Sequence, residues 1–185
     1  GSEAMPKIDE NTAISEPGTY YVYAKTGETK NYEENRSATA ELTVNEAVVE
    51  AASVTKADGT DGGTYASLPA ALDAAQDGDT VTLLSDVDLG ETYVTIDKSI
   101  TFDLNGKTLS SSGEWLLYGV LLVKDATVTV KNGTVKAAGD GSCAIQAYRS
   151  GASMTLEDVT ATVTSDKSSV TVGDFGSAVI KSGDY

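Results

Sequence analysis

From residue 80 onward the chain is a succession of short stretches in which apolar and polar side chains alternate. Thr80-Val81-Thr82-Leu83, Ile100-Thr101-Phe102-Asp103-Leu104, Val128-Thr129-Val130-Lys131 and Met154-Thr155-Leu156-Glu157 each set apolar residues on one side and hydroxyls or charges on the other. That is the period of a half-buried strand. The last three begin apolar-Thr-apolar and run into a polar turn. Their starts lie about 28 and then about 26 residues apart, within the range of a stacked repeat unit. Between them stand further apolar runs, Tyr93-Val94-Thr95-Ile96, Val120-Leu121-Leu122-Val123 and Ala144-Ile145-Gln146-Ala147. Each repeat therefore carries two or three strands, the pattern of a solenoid coil. Its phase predicts that Ile100, Phe102, Val128, Val130, Met154 and Leu156 stack inward.

One segment has helical spacing. In Ser67-Leu68-Pro69-Ala70-Ala71-Leu72-Asp73-Ala74-Ala75, Leu68, Leu72 and Ala75 share a stripe, Ser67 can cap the first turn, and Pro69 suits it. Gly78 is expected to stop it. Nearer the N-terminus, Gly18-Thr19-Tyr20-Tyr21-Val22-Tyr23-Ala24 and Thr39-Ala40-Glu41-Leu42-Thr43-Val44 read as two strands, the second with Ala40, Leu42 and Val44 on a buried face. Residues 47–63 lack a clear period and end in Asp58-Gly59-Thr60-Asp61-Gly62-Gly63, which predicts a linker.

Two resemblances follow from these phrases. Ser67 to Leu72 with Asp77-Gly78-Asp79-Thr80-Val81-Thr82-Leu83, and then Ile100-Thr101-Phe102-Asp103-Leu104-Asn105-Gly106-Lys107-Thr108-Leu109, resemble the opening coils of the pectate-lyase-like right-handed parallel β-helix family. The resemblance covers residues 64–185 and implies an all-β fold in which a short helix caps the N-terminal end of the solenoid. Glu16-Pro17-Gly18-Thr19-Tyr20-Tyr21-Val22-Tyr23-Ala24, Asn31-Tyr32 and Ala40-Glu41-Leu42-Thr43-Val44 are similar to the closing strands of bacterial immunoglobulin-like repeats. A whole sandwich of that type needs about 100 residues, so only a partial β-sandwich segment is expected here. The resulting division is residues 1–12 as a cloning remnant or disordered, 13–46 immunoglobulin-like, 47–63 linker, and 64–185 β-helix, expected to run on past Tyr185.

Composition narrows the chemistry. A formal charge of −15 repels phosphate backbones and anionic lipid, so nucleic acid is not an expected partner. No apolar stretch reaches the ~20 residues of a membrane span, so no membrane insertion is expected. The chain has no histidine and one cysteine, Cys143, which removes the commonest general base, an internal disulfide and a cysteine-based zinc site. Cys143, in Ser142-Cys143-Ala144-Ile145, is expected to be a buried core thiol. No cofactor and no metal are implied.

β-Helix relatives include polysaccharide lyases and glycosidases, which work with acidic clusters and, in the lyases, calcium and a basic residue. Asp103, Asp125, Asp140, Glu157, Asp158 and Asp174 are the acids available, but they stand singly near strand ends, where Asp commonly makes turns. Arg149, the solenoid's one arginine, sits in Tyr148-Arg149-Ser150-Gly151, a turn. Asn105-Gly106 and Asn132-Gly133 also read as turns, since both residue types tolerate positive φ. No catalytic residue is assigned. The candidate carbohydrate contacts are Trp115, Tyr118, Tyr148 and Arg149, whose flat faces can stack on sugar rings. The inserted phrase Gly113-Glu114-Trp115-Leu116-Leu117-Tyr118 is otherwise expected to fold Trp115 down and bury it.

These observations describe a non-catalytic structural or adhesion module of an extracellular bacterial surface protein, secreted or wall-attached. Its expected partners are a host or environmental glycan, a protein receptor, or a second copy of itself. The rival expectation is the N-terminal part of a β-helix polysaccharide lyase or glycoside hydrolase.

Overall fold

Alternation along the chain becomes pairing between distant segments in the computed structural model. It describes residues 16–23, 25–26, 35–45, 49–115, 118–167, 169–174 and 176–184, without the side chains of 25–26, 35–36 and 169–174. The chain divides into two units, Gly1–Val48 and Val49–Tyr185.

In the first unit β1 (Gly18–Val22) pairs antiparallel with β4 (Ala40–Val44), Tyr20 opposite Leu42, while β2 (Lys25–Thr26) pairs with β3 (Asn35–Arg36). Tyr20, Val22, Ala40, Leu42 and Val44 share one face, as the sequence phase requires. That face is not buried as expected: Ala40 is exposed and Leu42 is 42% exposed. A two-stranded sheet supplies no second layer, so a correct period alone does not exclude water. Asn31-Tyr32, which helped carry the immunoglobulin-like resemblance, lies outside the described residues.

The second unit is a parallel β-solenoid closed at its start by a helix. It opens with β5 (Ala52–Thr55), β6 (Asp61–Tyr65) and α1 (Leu68–Ala74). The first turn of the solenoid is β7 (Thr80–Leu83), β8 (Val87–Asp88) and β9 (Val94–Ile96), and the second is β10 (Thr101–Asp103), β11 (Thr108–Ser111) and β12 (Leu121–Lys124). In the third, β13 (Thr127–Ala137) runs across two faces before β14 (Cys143–Tyr148), and the fourth repeats this with β15 (Ser153–Val163) and β16 (Ser169–Asp174). A further rung, β17 (Ser177–Ile180) and β18 (Gly183–Asp184), follows. Three faces result. Face A stacks β7, β10, the first halves of β13 and β15, and β17; face B stacks β8, β11, the second halves, and β18; face C stacks β9, β12, β14 and β16.

Register explains the repeat. Thr80, Thr101, Thr129, Thr155 and Val179 form one outward column on face A, and Val81, Phe102, Val130, Leu156 and Ile180 the inward column beside it. Val81, Phe102, Val130 and Leu156 are fully buried, and Ile100, Val128 and Met154 are buried with them, so the expected inward phase is the observed one. Outside, Asp103 pairs with Lys131 at 3.3 Å and Glu157 with Lys181 at 2.6 Å. At the corner between faces A and B, Asn105, Asn132 and Asp158 all take positive φ, near +50° to +58°. Asn105 Nδ2 donates back to Leu83 O, and Asn132 Nδ2 to Asp103 Oδ1. Gly133 has ordinary φ but no room: a Cβ there would run into Leu104 and lie 2.6 Å from Lys107 O. Asn105-Gly106 is thus a turn as expected, whereas Asn132-Gly133 is a bend within the continuous strand β13 rather than a turn.

The described part of the expected linker, residues 49–63, belongs to the folded second unit. β5 pairs antiparallel with β7 on one side and with β6 on the other, extending face A past the first rung. Ala52 and Val54 lie in the core, while Asp58 Oδ1 accepts Thr60 N in a tight turn. Two apolar positions in four residues are too few for a readable period. Above this sheet α1 lays Leu68, Ala71 and Leu72 over the end of the core, and Ser67 Oγ accepts the Ala70 amide. The helix ends at Ala74, before Gly78, and Lys98 Nζ donates to its last carbonyls, Leu72 O and Asp73 O, at 2.8 Å each. Asp79, 3% exposed, binds the same junction by accepting from Gln76 N, Ala57 N and Lys56 Nζ. Burial by itself would raise its pKa, but these hydrogen bonds and the Lys56 charge hold it below the ordinary carboxylate value.

Candidate functional site

Face C presents the strongest concentration of exposed aromatic surface in the second unit. Its strands point Val94, Ile96, Leu121, Val123, Ile145 and Ala147 into the core, leaving Thr95, Leu122 and Gln146 in register on the outside. Leu122 is nevertheless only 5% exposed and lies outside the core cluster. A row of tyrosines stands on the same face. Tyr148 follows Gln146 on the outer side, Tyr118 meets it edge-on with ring centroids 5.3 Å apart, and Tyr93 meets Tyr118 at 6.1 Å. The geometry is that of favourable aromatic pairs. Tyr93 and Tyr118 keep 42% and 41% of their surface in solvent.

Polar groups border the row. Arg149 takes positive φ at the corner after β14, which turns its guanidinium back over the Tyr148 ring, 4.9 Å from the centroid. Hydrogen bonding to Tyr148 raises the Arg149 pKa above its ordinary value, so the charge is permanent. Lys124, across the register from Tyr148, is exposed. Gln146 Oε1 is shielded from solvent with no hydrogen-bond partner among the described residues.

Of the residues proposed from sequence, Tyr118, Tyr148 and Arg149 come together here. Tyr93 joins them unannounced: it precedes its face C strand much as Tyr118 does, but Tyr148 ends its strand, so no fixed spacing links the three. Trp115 stands elsewhere and is not buried as its loop suggested. It is 63% exposed, with positive φ, and its amide donates to Asp140 O at 2.7 Å. One ring face packs where a Cβ at Gly141 would otherwise sit, so the next turn supports the indole without covering it. Cys143 is half-buried at the start of β14 rather than in the core, its thiol donating to Ile145 O.

Three of the candidate acids, Asp103, Asp140 and Glu157, are engaged in the scaffold. Asp103 accepts from Asn105 N and Asn132 Nδ2 as well as pairing with Lys131, and Glu157 pairs with Lys181. The Lys167 ammonium, 2.6 Å away, holds Asp140 below the ordinary carboxylate range. Asp125, in a bend, and Asp158, within β15, take positive φ, and the side chain of Asp174 lies outside the described residues. Among the described residues no three acids or cysteines converge on a point where a metal ion could sit.

Fold and surface together define a parallel β-solenoid module with a tyrosine row on one face. Compared with protein-family models, curated proteins and solved structures, the chain matches none. The part of the sequence resemblance that the structure displays is the parallel β-solenoid.

Proposed function

We propose that this chain is a non-catalytic structural or adhesion module of an extracellular bacterial surface protein, and that it contacts carbohydrate through Tyr93, Tyr118, Tyr148 and Arg149. The observation that carries the reading is the exposed tyrosine row itself: three aromatic rings in contact, on a rigid sheet, with a guanidinium and a buried unmatched carbonyl oxygen beside them. Flat rings with polar edges suit pyranose faces, and strands hold them more precisely than loops would. Engagement of Asp103, Asp140 and Glu157 in ion pairs favours holding a ligand over turning it over. The test is calorimetric titration with a panel of neutral and charged oligosaccharides. Tyr118→Ala is expected to weaken binding about 3–10-fold, the worth of one stacked ring. Unchanged affinity in Tyr118→Ala, or no binding across the panel, overturns the reading. Release of reducing or unsaturated ends from the panel would establish the enzymatic alternative instead.

A further inference from the structure

A second polar surface lies round the corner from the tyrosines. On the outer side of face B a groove of about 390 Å³ spans the first three rungs. Its floor is a column in register, Asp88 on β8, Ser110 on β11 and Lys136 on β13. Asp86, Thr108 and Ser112 flank it. One oxygen of each carboxylate is used locally: Asp86 Oδ1 accepts Thr108 N and Asp88 Oδ1 accepts Gly90 N. The remaining carboxylate oxygens, Ser110 Oγ and the Lys136 ammonium have no hydrogen-bond or ion-pair partner among the described residues. Carboxylates, hydroxyls and one ammonium, spaced by the ~4.8 Å of adjacent strands, form a ladder of alternating acceptors and donors.

The chain leaves the groove's lining at Ser112 and enters the loop that carries Trp115. Ser112 borders the groove, and three residues later Trp115 stands exposed at the corner between faces B and C. The corner is held by the next turn, where Ala138 N donates to Ser111 O, Trp115 N to Asp140 O, and the buried Ser142 Oγ to Gly113 O at 2.6 Å. Tyr118 follows on face C. Ser112 of the groove, the exposed indole of Trp115 and Tyr118 of the tyrosine row thus follow one another in sequence between β11 and β12.

We infer that the groove and Trp115 extend the tyrosine site, so that the module binds one extended, uncharged oligosaccharide passing from face C round the corner into face B. The inference rests on the carbohydrate reading above. Asp86 and Asp88 accept sugar hydroxyls and repel acidic sugars, Lys136 and Ser110 donate to ring and hydroxyl oxygens, and Trp115 supports the ring at the bend. An acidic polymer would bring carboxylates against Asp86 and Asp88 on a chain that already carries a charge of −15.

Chain-length dependence tests this. With neutral gluco-, manno- and xylo-oligosaccharides from disaccharide to hexasaccharide, and oligogalacturonates of the same lengths as the acidic probe, affinity is measured by calorimetry. The unsubstituted protein should bind the best neutral hexasaccharide about tenfold more tightly than its disaccharide, the worth of one or two additional hydrogen bonds. Lys136→Ala and Asp88→Ala, both outward-facing substitutions whose folding is checked by circular dichroism, should flatten that gain and leave disaccharide affinity unchanged. A length dependence that survives both substitutions, or tighter binding of oligogalacturonate than of every neutral series, overturns the extended site. Disaccharide binding that needs Tyr118 but gains nothing with length would sink this inference alone. Absence of binding to any neutral or acidic series would sink the carbohydrate reading with it.

Discussion

β4 and the first half of β13 carry nearly the same message in sequence and meet opposite fates. Ala40-Glu41-Leu42-Thr43-Val44 and Val128-Thr129-Val130-Lys131 both alternate apolar with polar residues, yet Leu42 is 42% exposed and Val130 is fully buried. The difference is the number of neighbours. Among the described residues β4 has one partner strand, whereas β13 is sandwiched between β10 and β15 on face A and between β11 and β15 on face B, with its inward side chains closed off by face C. Alternation specifies which side of a strand is apolar. Stacking decides whether that side is dry.

The sharpest way to break this comparison is to empty both sites. Phe102→Ala should cost about 3–5 kcal/mol in urea unfolding, because the rungs above and below cannot collapse into the space. Leu42→Ala should stay within about 0.5 kcal/mol, as exposed positions do. A comparable loss from Leu42→Ala would mean that the first unit's apolar face is covered after all.

The next effect comes from the capped end. Asp79→Ala leaves two backbone amides without their acceptor and Lys56 Nζ with only Ala74 O, and should cost about 2–4 kcal/mol. The pH dependence has a definite sign. Because the folded-state pKa lies below the unfolded value of about 3.9, the contribution of Asp79 is complete above that pH and is lost as pH falls through the lower folded value. Thermal melts should therefore show the gap between wild type and Asp79→Asn narrowing below about pH 4. A gap that widens on acidification would reverse the assignment.

Smaller still is the cost of backbone crowding. Gly133→Ala forces a methyl against Leu104 and Lys107 O and should cost about 1–3 kcal/mol, while Lys131→Ala, which removes a half-exposed ion pair on the same strand, should cost less than about 1 kcal/mol. Equal melting temperatures for the two variants would show that the turn relaxes around the added carbon.

How much of this was legible depended on whether the signal was local. The helix could be read from Ser67, Pro69 and its leucine stripe because capping and period are both short-range. The face A phase could be read because apolar-Thr-apolar recurs from turn to turn, and the Asn105-Gly106 turn because positive φ restricts residue choice. β5 and β6 could not, since Ala52 and Val54 become core only through antiparallel pairing with β7, and the glycines that hold the hairpin look like a linker in isolation. Exposure of Trp115 depends on Gly141 in the following turn, which no local pattern announces. The tyrosine row was half visible. Tyr118 and Tyr148 could be named as aromatic and polar-edged, but their meeting with Tyr93 required the registers of β9, β12 and β14, set by loops of unequal length.

The most direct test of the functional account is a residue-resolved NMR titration with neutral oligosaccharides, followed by recovery of the sugar. The account predicts saturable shifts centred on Tyr93, Tyr118, Gln146 and Tyr148, with the oligosaccharide recovered at its original length. Shifts confined to other faces, or recovery of shortened sugar, would contradict it.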